Sequence, residues 1–189
     1  FNSTKDFVKI VSEFNPDVIF NDILDTKVSY IKKLKKMKLF VVNFEDLGHG
    51  AKYADLIFNP IYNSSKTSSS EFFGSNYACV RDEFRMWPRL KPKKIVSNIL
   101  IMFGGTDPTN KTIQTLKILE KNSLISIKFT IIIGLGFSKK LSLLKLIEKI
   151  RNTGREIELI EKSDYLAKKF LECDFVISSN GRTVFELAS

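Results

Sequence analysis

The sequence is poor in the residues that build metal sites and cross-links. Its 189 residues include one histidine and two cysteines, Cys79 and Cys173, and neither cysteine lies in a Cys-x-x-Cys or Cys/His spacing. We therefore predict no metal site and no disulfide framework, and we expect both thiols to be buried and reduced. No apolar run reaches the length of a membrane span and no signal peptide is visible, so the expected location is the cytoplasm.

Acidic residues are outnumbered by basic ones. The 30 Lys and Arg residues against 21 Asp and Glu residues give a formal net charge of +9. Such a balance fits a nucleic acid, an anionic membrane or an anionic small molecule as partner. The densest cluster, residues 32–38, has apolar residues at helical spacing and is typical of the solvated face of an amphipathic helix. Since no aromatic residues are interleaved with the basic ones, we predict no nucleic-acid partner.

Short apolar runs alternate with amphipathic segments along the chain. The predicted strands cover residues 18–20, 39–46, 54–60, 96–103, 127–133, 156–160 and 174–177. The predicted helices cover residues 6–14, 26–36, 111–121, 141–151, 163–172 and 183 onward. This alternation predicts an α/β protein with two Rossmann-like, doubly wound parallel-sheet domains. A Pro- and Lys-rich stretch near Pro92 predicts a division into residues 1–92 and 93–189, and residues 63–78 are predicted to form a surface loop.

Both ends of the chain have the pattern of a fragment. The first residue is Phe, and the last residues, "TVFELAS", stop within a helical pattern. We expect the first domain to be truncated at its N-terminus and the second at its C-terminus.

Two adjacent glycines follow the strand that is predicted before them. Gly104 and Gly105 are followed by Thr106, Asp107 and Pro108 in the run "FGGTDP". Glycine at such a place marks either a turn of special geometry or the close approach of a ligand. The amides of a helix start would suit a phosphate, whereas the alternative is a tight turn capped by Asp107 with Pro108 as the first helical residue. No Gly-Lys-Ser/Thr follows, so this is not a P-loop.

A second turn of the same kind follows a later strand, in the run "SSNGRTVFE". Asn180 and Gly181 form the turn, Arg182 and Thr183 enter the helix, and Glu186 follows one turn later. An Arg and a Thr at a helix start can hold a diphosphate, and a carboxylate can accept hydrogen bonds from two ribose hydroxyls. The alternative is an ordinary capped helix with a solvated Glu186.

Two further glycine turns give weaker signals. Gly134 and Gly136 form a lone Gly-x-Gly, which indicates a turn or a further part of the same site. His49, the sole histidine, lies between Gly48 and Gly50. It is a weak candidate for a general base, and the alternative is an exposed turn residue.

Several runs together resemble a known family. They are "NDILDTKVSYIKKLK", "VVNFEDLGHGAKYADLIFN", "GSNYACVRDEFRMWP", "ILIMFGGTDPTNKT" and "CDFVISSNGRTVFELAS". In this order, over nearly the whole chain, they resemble the UDP-sugar hydrolase of pseudaminic acid biosynthesis and the related spore-coat polysaccharide biosynthesis proteins. More distantly, the pattern is similar to the N-acetylglucosaminyltransferase of peptidoglycan synthesis. The resemblance implies a glycosyltransferase-B-like architecture.

The resemblance also implies a substrate and a site. The second domain would bind the UDP of a UDP-linked diacetamido-trideoxy sugar, with Gly105 and Thr106 near the diphosphate and Glu186 on the ribose. The predicted nucleotide-binding residues are Gly104, Gly105, Thr106, Gly134, Asn180, Gly181, Arg182, Thr183 and Glu186. Water would displace UDP with inversion, without a metal or another cofactor, because helix N-termini would stabilise the leaving group.

The chain departs from the family pattern at two points. The family's catalytic histidine lies in a glycine-rich loop near the true N-terminus, and His49 does not match it. The family's Gly-Gly-Ser-Thr reads Asn-Gly-Arg-Thr at residues 180–183. We therefore expect the chain to be inactive by itself. The alternatives to a hydrolase are a glycosyltransferase that uses a UDP-sugar donor and a non-catalytic nucleotide-sugar-binding module.

Overall fold

The chain divides into two compact units, Phe1–Cys79 and Val80–Ser189. The computed structural model describes residues 4–62, 69–88, 91–122, 126–161, 163 and 165–189. Each unit contains a four-stranded parallel sheet with helices, which confirms the predicted α/β class with two parallel sheets. The division lies before Val80 and not near Pro92, because residues ahead of Pro92 pack within the second unit: the rings of Phe84 and Phe170 are 5.5 Å apart.

The first unit is a sheet whose strands follow one another in chain order. Its elements are α1 (Thr4–Phe14), β1 (Val18–Asp22), α2 (Val28–Lys36), β2 (Phe40–Phe44), β3 (Leu56–Asn59) and β4 (Glu71–Phe73). The order is β1-β2-β3-β4, without a reversal among these described strands. The loop prediction for residues 63–78 is wrong at β4, which is too short to show periodicity and forms by pairing with β3. Residues 63–68 lie outside the described residues.

The two faces of the first sheet differ. On one face, Val11 of α1 and Ile31 and Leu34 of α2 pack against Ile19 and Val41, and all five are buried. The apolar positions of α2 are three residues apart, so they share one side of the helix while its lysines face solvent.

The other face of this sheet carries an aromatic ladder. The rings of Phe20, Phe44, Phe58 and Phe72, one from each strand, are stacked with centroids 6.2, 5.5 and 5.0 Å apart. Parallel register brings these side chains to the same face, since alternate residues of a strand point the same way. Phe20 at the edge is 69% exposed.

The second unit is a sheet whose strand order reverses. Its elements are β5 (Asn98–Met102), α3 (Lys111–Glu120), β6 (Lys128–Ile132), α4 (Lys140–Arg151), β7 (Ile157–Ile160), α5 (Leu166–Leu171), β8 (Phe175–Ser178) and α6 (Arg182–Ala188). The order is β7-β6-β5-β8, so the chain moves outward from β5 and then returns to the other side of β5. An order that runs outward from the first strand and then continues on that strand's other side is typical of a doubly wound sheet.

Helices cover both faces of the second sheet. On one face, Leu116 of α3 and Leu143 of α4 pack with Ile101 and Phe129. On the other face, Phe170 of α5 packs with a cluster that includes Leu100, Met102 and Cys173. Burial on both faces explains why these strands are continuous apolar runs. In the described part of the chain, no helix combines the length and the apolar character needed to cross a bilayer.

Candidate functional site

The reversal of strand order brings two glycine turns to one edge of the second sheet. Met102 at the end of β5 is the register partner of Ser178 at the end of β8. The Gly104-Gly105 turn and the Asn180-Gly181 turn therefore leave neighbouring strands at equivalent positions. In open α/β sheets, ligands bind outside the carboxyl ends of the strands where the order reverses.

The two adjacent positions, 104 and 105, differ in why they are occupied by glycine. Gly104 has a φ of +75°, a backbone conformation that side-chain-bearing residues rarely adopt. Gly105 does not have a left-handed φ, and a Cβ built on it would meet no described atom within 4 Å. The turn geometry thus requires glycine at 104, whereas neither conformation nor packing within the described residues requires it at 105. Both glycines and Thr106 are exposed.

Gly181 resembles Gly105 in that neither its backbone conformation nor the described packing requires glycine. Its φ of −132° and ψ of −157° are extended values that any residue adopts. The nearest described atom to a Cβ at this position is the Ser179 Oγ, at 3.9 Å, which is an ordinary contact. Asn180 and Arg182 on either side are exposed, whereas Thr183 is buried at the start of α6. The two turns therefore each expose backbone beside a glycine that the described packing does not demand.

Gly134 is explained by packing. A Cβ on Gly134 would lie 2.5 Å from the Gly105 Cα, and a Cβ on Gly136 would lie 2.7 Å from the Thr106 Cγ2. The turn after β6 is thus pressed against residues 105 and 106, and glycine is needed for that approach. Gly134 thus packs against the Gly104-Gly105 turn, and this packing alone explains why residue 134 is glycine.

The start of α3 is already occupied by a carboxylate. Asp107 is buried, and its two oxygens accept hydrogen bonds from the amides of Lys111 and Thr112, each at 2.8 Å. The helix begins at Lys111, so Pro108 precedes the helix and is not its first residue. The expectation of bare amides at this helix start is wrong, because Asp107 satisfies two of them. An anion here would have to bind the amides of the turn itself.

Glu186 lies against the segment that precedes β5. Its side chain is 15% exposed, and its Oε1 is 3.6 Å from an Nη of Arg81. The other Nη of Arg81 is 2.7 Å from the Glu83 carboxylate, and the guanidinium stacks 5.0 Å from the Phe84 ring centroid. Burial raises the pKa of Glu186, and the charges of Arg81 and Arg182 oppose that rise.

A small cavity adjoins Glu186. It has a volume of about 250 Å³ and is lined by Phe84, Trp87, Phe170 and Leu171 as well as Glu186. Sequence reasoning singled out Glu186 and missed Arg81, although "VRDEF" lies in one of the runs that carry the family resemblance. The signal was hidden because residues 81 and 186 are far apart in the chain.

His49 lies in a turn that is determined by packing. It is exposed, and a Cβ on Gly50 would lie 2.6 Å from the Thr26 Oγ1, while one on Gly48 would lie 2.7 Å from an Asp25 carboxylate oxygen. The glycines that flank His49 are therefore required by the close approach of this turn to residues 25 and 26. The position of His49 agrees with the interpretation of an exposed turn residue.

The two cysteines differ in burial. Cys173 is buried, and burial raises the pKa of its thiol to about 11. Cys79 is exposed, so the prediction that both thiols are buried is wrong for Cys79, which lies at the boundary between the two units. Within the described residues, no group of three or more His, Cys, Asp and Glu side chains is arranged to hold a metal ion.

The fold and the two glycine turns define an α/β protein with a candidate ligand site at a topological switch point. No family model matches this chain. The chain is similar to the uncharacterized protein MJ1062 of Methanocaldococcus jannaschii, with 27% identity over 201 aligned residues. The alignment covers 98% of this chain and 41% of that protein, so the chain spans less than half the length of this relative.

Proposed function

We propose that the second unit binds the diphosphate of a nucleotide sugar at the carboxyl ends of β5 and β8. The observation that carries the proposal is the pair Gly105 and Gly181, which lie beyond register-paired strand ends and which the described packing does not require to be glycine. A diphosphate bound to exposed turn amides needs backbone without side chains at the points of approach.

The chemistry around the two turns fits a diphosphate ester. Thr106 offers an exposed hydroxyl and Arg182 a cation beside the turns. The formal net charge of +9 attracts an anionic ligand to the chain as a whole. Glu186 would accept hydrogen bonds from the ribose hydroxyls, in keeping with the family resemblance.

The proposed activity is that of a UDP-sugar hydrolase of surface polysaccharide or nonulosonic acid biosynthesis, acting in the cytoplasm. Water attacks the anomeric carbon and loses a proton to solvent, the bond between this carbon and the UDP oxygen breaks, and UDP leaves with the bonding electron pair. Turn amides and Arg182 stabilise the charge that develops on the leaving phosphate. The glycosyltransferase-B architecture belongs to this proposal. Release of UDP by the whole protein without an acceptor supports the hydrolase, and a strict requirement for an acceptor supports the glycosyltransferase.

Calorimetry with UDP tests the proposed site directly. We expect the 189-residue chain to bind UDP more tightly than uridine, because the diphosphate makes the charge-assisted contacts. Gly105→Val should reduce UDP affinity by about a hundredfold or more, since its side chain would occupy the point of approach. Ser142→Val, which adds a side chain of the same kind on the exposed surface of α4, is the matched control. Equal affinity of wild type and Gly105→Val for UDP would overturn the assignment.

A further inference from the structure

We propose that Arg81 is a positioning residue of the nucleotide site, which holds the Glu186 carboxylate in the place and charge state that the ribose hydroxyls require. The inference rests on the proposed function, because it assigns a second residue to the same site. It concerns the segment that precedes β5, to which neither the sequence patterns nor the comparisons attach a role.

The contacts of Arg81 explain how it can orient Glu186. The guanidinium lies between two carboxylates, at 2.7 Å from Glu83 and 3.6 Å from Glu186. Its plane is supported by the Phe84 ring, which itself packs on Phe170 of α5. Glu83 is anchored in turn, since its carboxylate accepts a hydrogen bond from the Ala167 amide at 3.3 Å. Arg81 is therefore held in place by contacts with other residues of the second unit.

The burial of Glu186 explains why it needs this partner. A largely buried carboxylate loses hydration, and this loss favours its neutral form. Of the charged groups that face it, Glu83 raises the pKa of Glu186 further, whereas Arg81 and Arg182 lower it. An ionised carboxylate accepts hydrogen bonds through both oxygens, and it is this form that can take the two hydroxyls of a ribose. Arg81 thus favours the binding form.

Arg81 itself is 60% exposed at its side chain, so a direct contact with the phosphates is the competing interpretation. The two roles differ in what they recognise. A positioning residue that acts through Glu186 affects the recognition of ribose hydroxyls, whereas a phosphate ligand affects every nucleotide with the same phosphates. A comparison of UDP with 2′-deoxy-UDP separates them.

The experiment is a double-mutant cycle on the 189-residue chain with Arg81→Gln and Glu186→Gln. Gln at 81 removes the charge and keeps a polar side chain at this position. We expect each single variant to weaken UDP binding by about tenfold and the double variant to weaken it no further, since both remove one interaction. We also expect each variant to lose the preference of the wild type for UDP over 2′-deoxy-UDP.

The pH dependence gives a second readout. Because burial raises the pKa of Glu186, lowering the pH protonates its carboxylate and should abolish the preference for UDP over 2′-deoxy-UDP. In Arg81→Gln the pKa of Glu186 lies higher, so the preference should be lost at a higher pH than in the wild type. The ratio of the affinities for UDP and 2′-deoxy-UDP is the quantity to measure, because the titration of the phosphates affects both affinities equally and cancels. Arg81→Lys restores a positive charge and should shift the midpoint back.

The controls separate folding from function. Arg85→Ala removes an arginine from the same exposed segment and should leave UDP binding unchanged. Thermal unfolding of each variant detects a loss of fold. If Arg81→Gln does not fold, Arg81→Lys, which keeps an aliphatic stem and the charge, is compared with the wild type instead. Additive losses in the cycle, or equal weakening of UDP and 2′-deoxy-UDP, would overturn the role of Arg81. A wild-type chain that binds no UDP would overturn the proposed function itself.

Discussion

The glycine turns of the two units look alike in sequence, but glycine is present in them for different reasons. In the first unit, Gly48 and Gly50 are pressed against residues 25–27, so that a side chain at either position would collide with its neighbours. In the second unit, Gly105 and Gly181 face open space or ordinary contacts among the described residues. Glycine is thus a packing residue in one unit and, on our proposal, a binding residue in the other.

The polar residues at the strand ends show the same difference. In the first unit they bind one another: the Asn21 Nδ2 donates to the Asn43 Oδ1 at 2.9 Å, and the Asn43 Nδ2 donates to Asp46 at 2.5 Å. Asp46 also accepts from the Thr26 amide, and the Tyr30 hydroxyl donates to Asn21. In the second unit, Thr106 and Asn180 are exposed at the corresponding edge. A buried network in which the polar groups hydrogen-bond to one another stabilises the loops, whereas exposed polar groups are available to bind a ligand.

The largest effect is expected from removing the centre of the network in the first unit. Asp46→Ala leaves the donors of Thr26, Asn43 and Gly48 without their acceptor. We expect the free energy of unfolding to fall by about 4 kcal/mol, because several buried donors lose their partner together. Asp17→Ala, at an exposed position of the same unit, is the control. A loss below about 1 kcal/mol in urea denaturation would mean that this network does not fasten the first unit.

The next effect tests the two kinds of glycine directly. Gly48→Ala places a methyl group against the Thr26 backbone and should lower the free energy of unfolding by about 2–3 kcal/mol. Gly105→Ala should change it by no more than about 0.5 kcal/mol, since its Cβ points into open space. Urea denaturation of both variants measures the difference. Equal losses would remove the distinction between the two turns.

A smaller effect is expected at the start of α3. Asp107→Ala removes the carboxylate that accepts hydrogen bonds from the Lys111 and Thr112 amides. We expect a loss of about 1–2 kcal/mol, the usual cost of losing a helix cap. The melting temperature checks this, with exposed Asp82→Ala as the control. An unchanged melting temperature would contradict the capping role and would restore this helix start as an anion site.

The smallest effect concerns acid stability of the second unit. Lys93, followed by the amide and hydroxyl of Ser97 and the amide of Asn98, holds the pKa of Asp174 well below its usual range. A carboxyl group whose pKa is depressed in the folded state contributes stability above the unfolded pKa near 4, and that stability is lost as the pH falls toward the folded pKa. Asp174→Asn should therefore flatten the decline of the melting temperature between about pH 4 and pH 2. An unaltered acid profile would show that this contact is unimportant.

The local elements could be predicted closely from sequence. Predicted strands at 96–103 and 127–133 correspond to Asn98–Met102 and Lys128–Ile132, and the predicted helix at 141–151 corresponds to Lys140–Arg151. These segments are apolar or amphipathic over their whole length, so local pattern and tertiary burial agree. Glu71–Phe73 escaped prediction because three residues show no period and their strand forms by pairing with β3.

The candidate site could be predicted only in part. The strand ends that carry Gly105 and Gly181 are visible in the sequence, because a buried strand followed by glycine has a local pattern. The Asp107 carboxylate accepts a hydrogen bond from the Lys111 amide, which favours a capped turn over a helix start with free amides. This contact depends on the orientation of the Asp107 side chain, which the sequence does not reveal. The contact between Arg81 and Glu186 joins distant parts of the chain and has no local signature.

The sequence by itself determined the alternation of strands and helices, since burial of a strand or helix face imposes a period that neighbouring residues must follow. Tertiary structure alone decided that β8 returns beside β5, which brings the two glycine turns to one edge. It also decided which glycines are needed for packing, because the atoms that a Cβ would meet come from other parts of the chain. Periodicity is a local property, whereas the space around a residue is set by the whole fold.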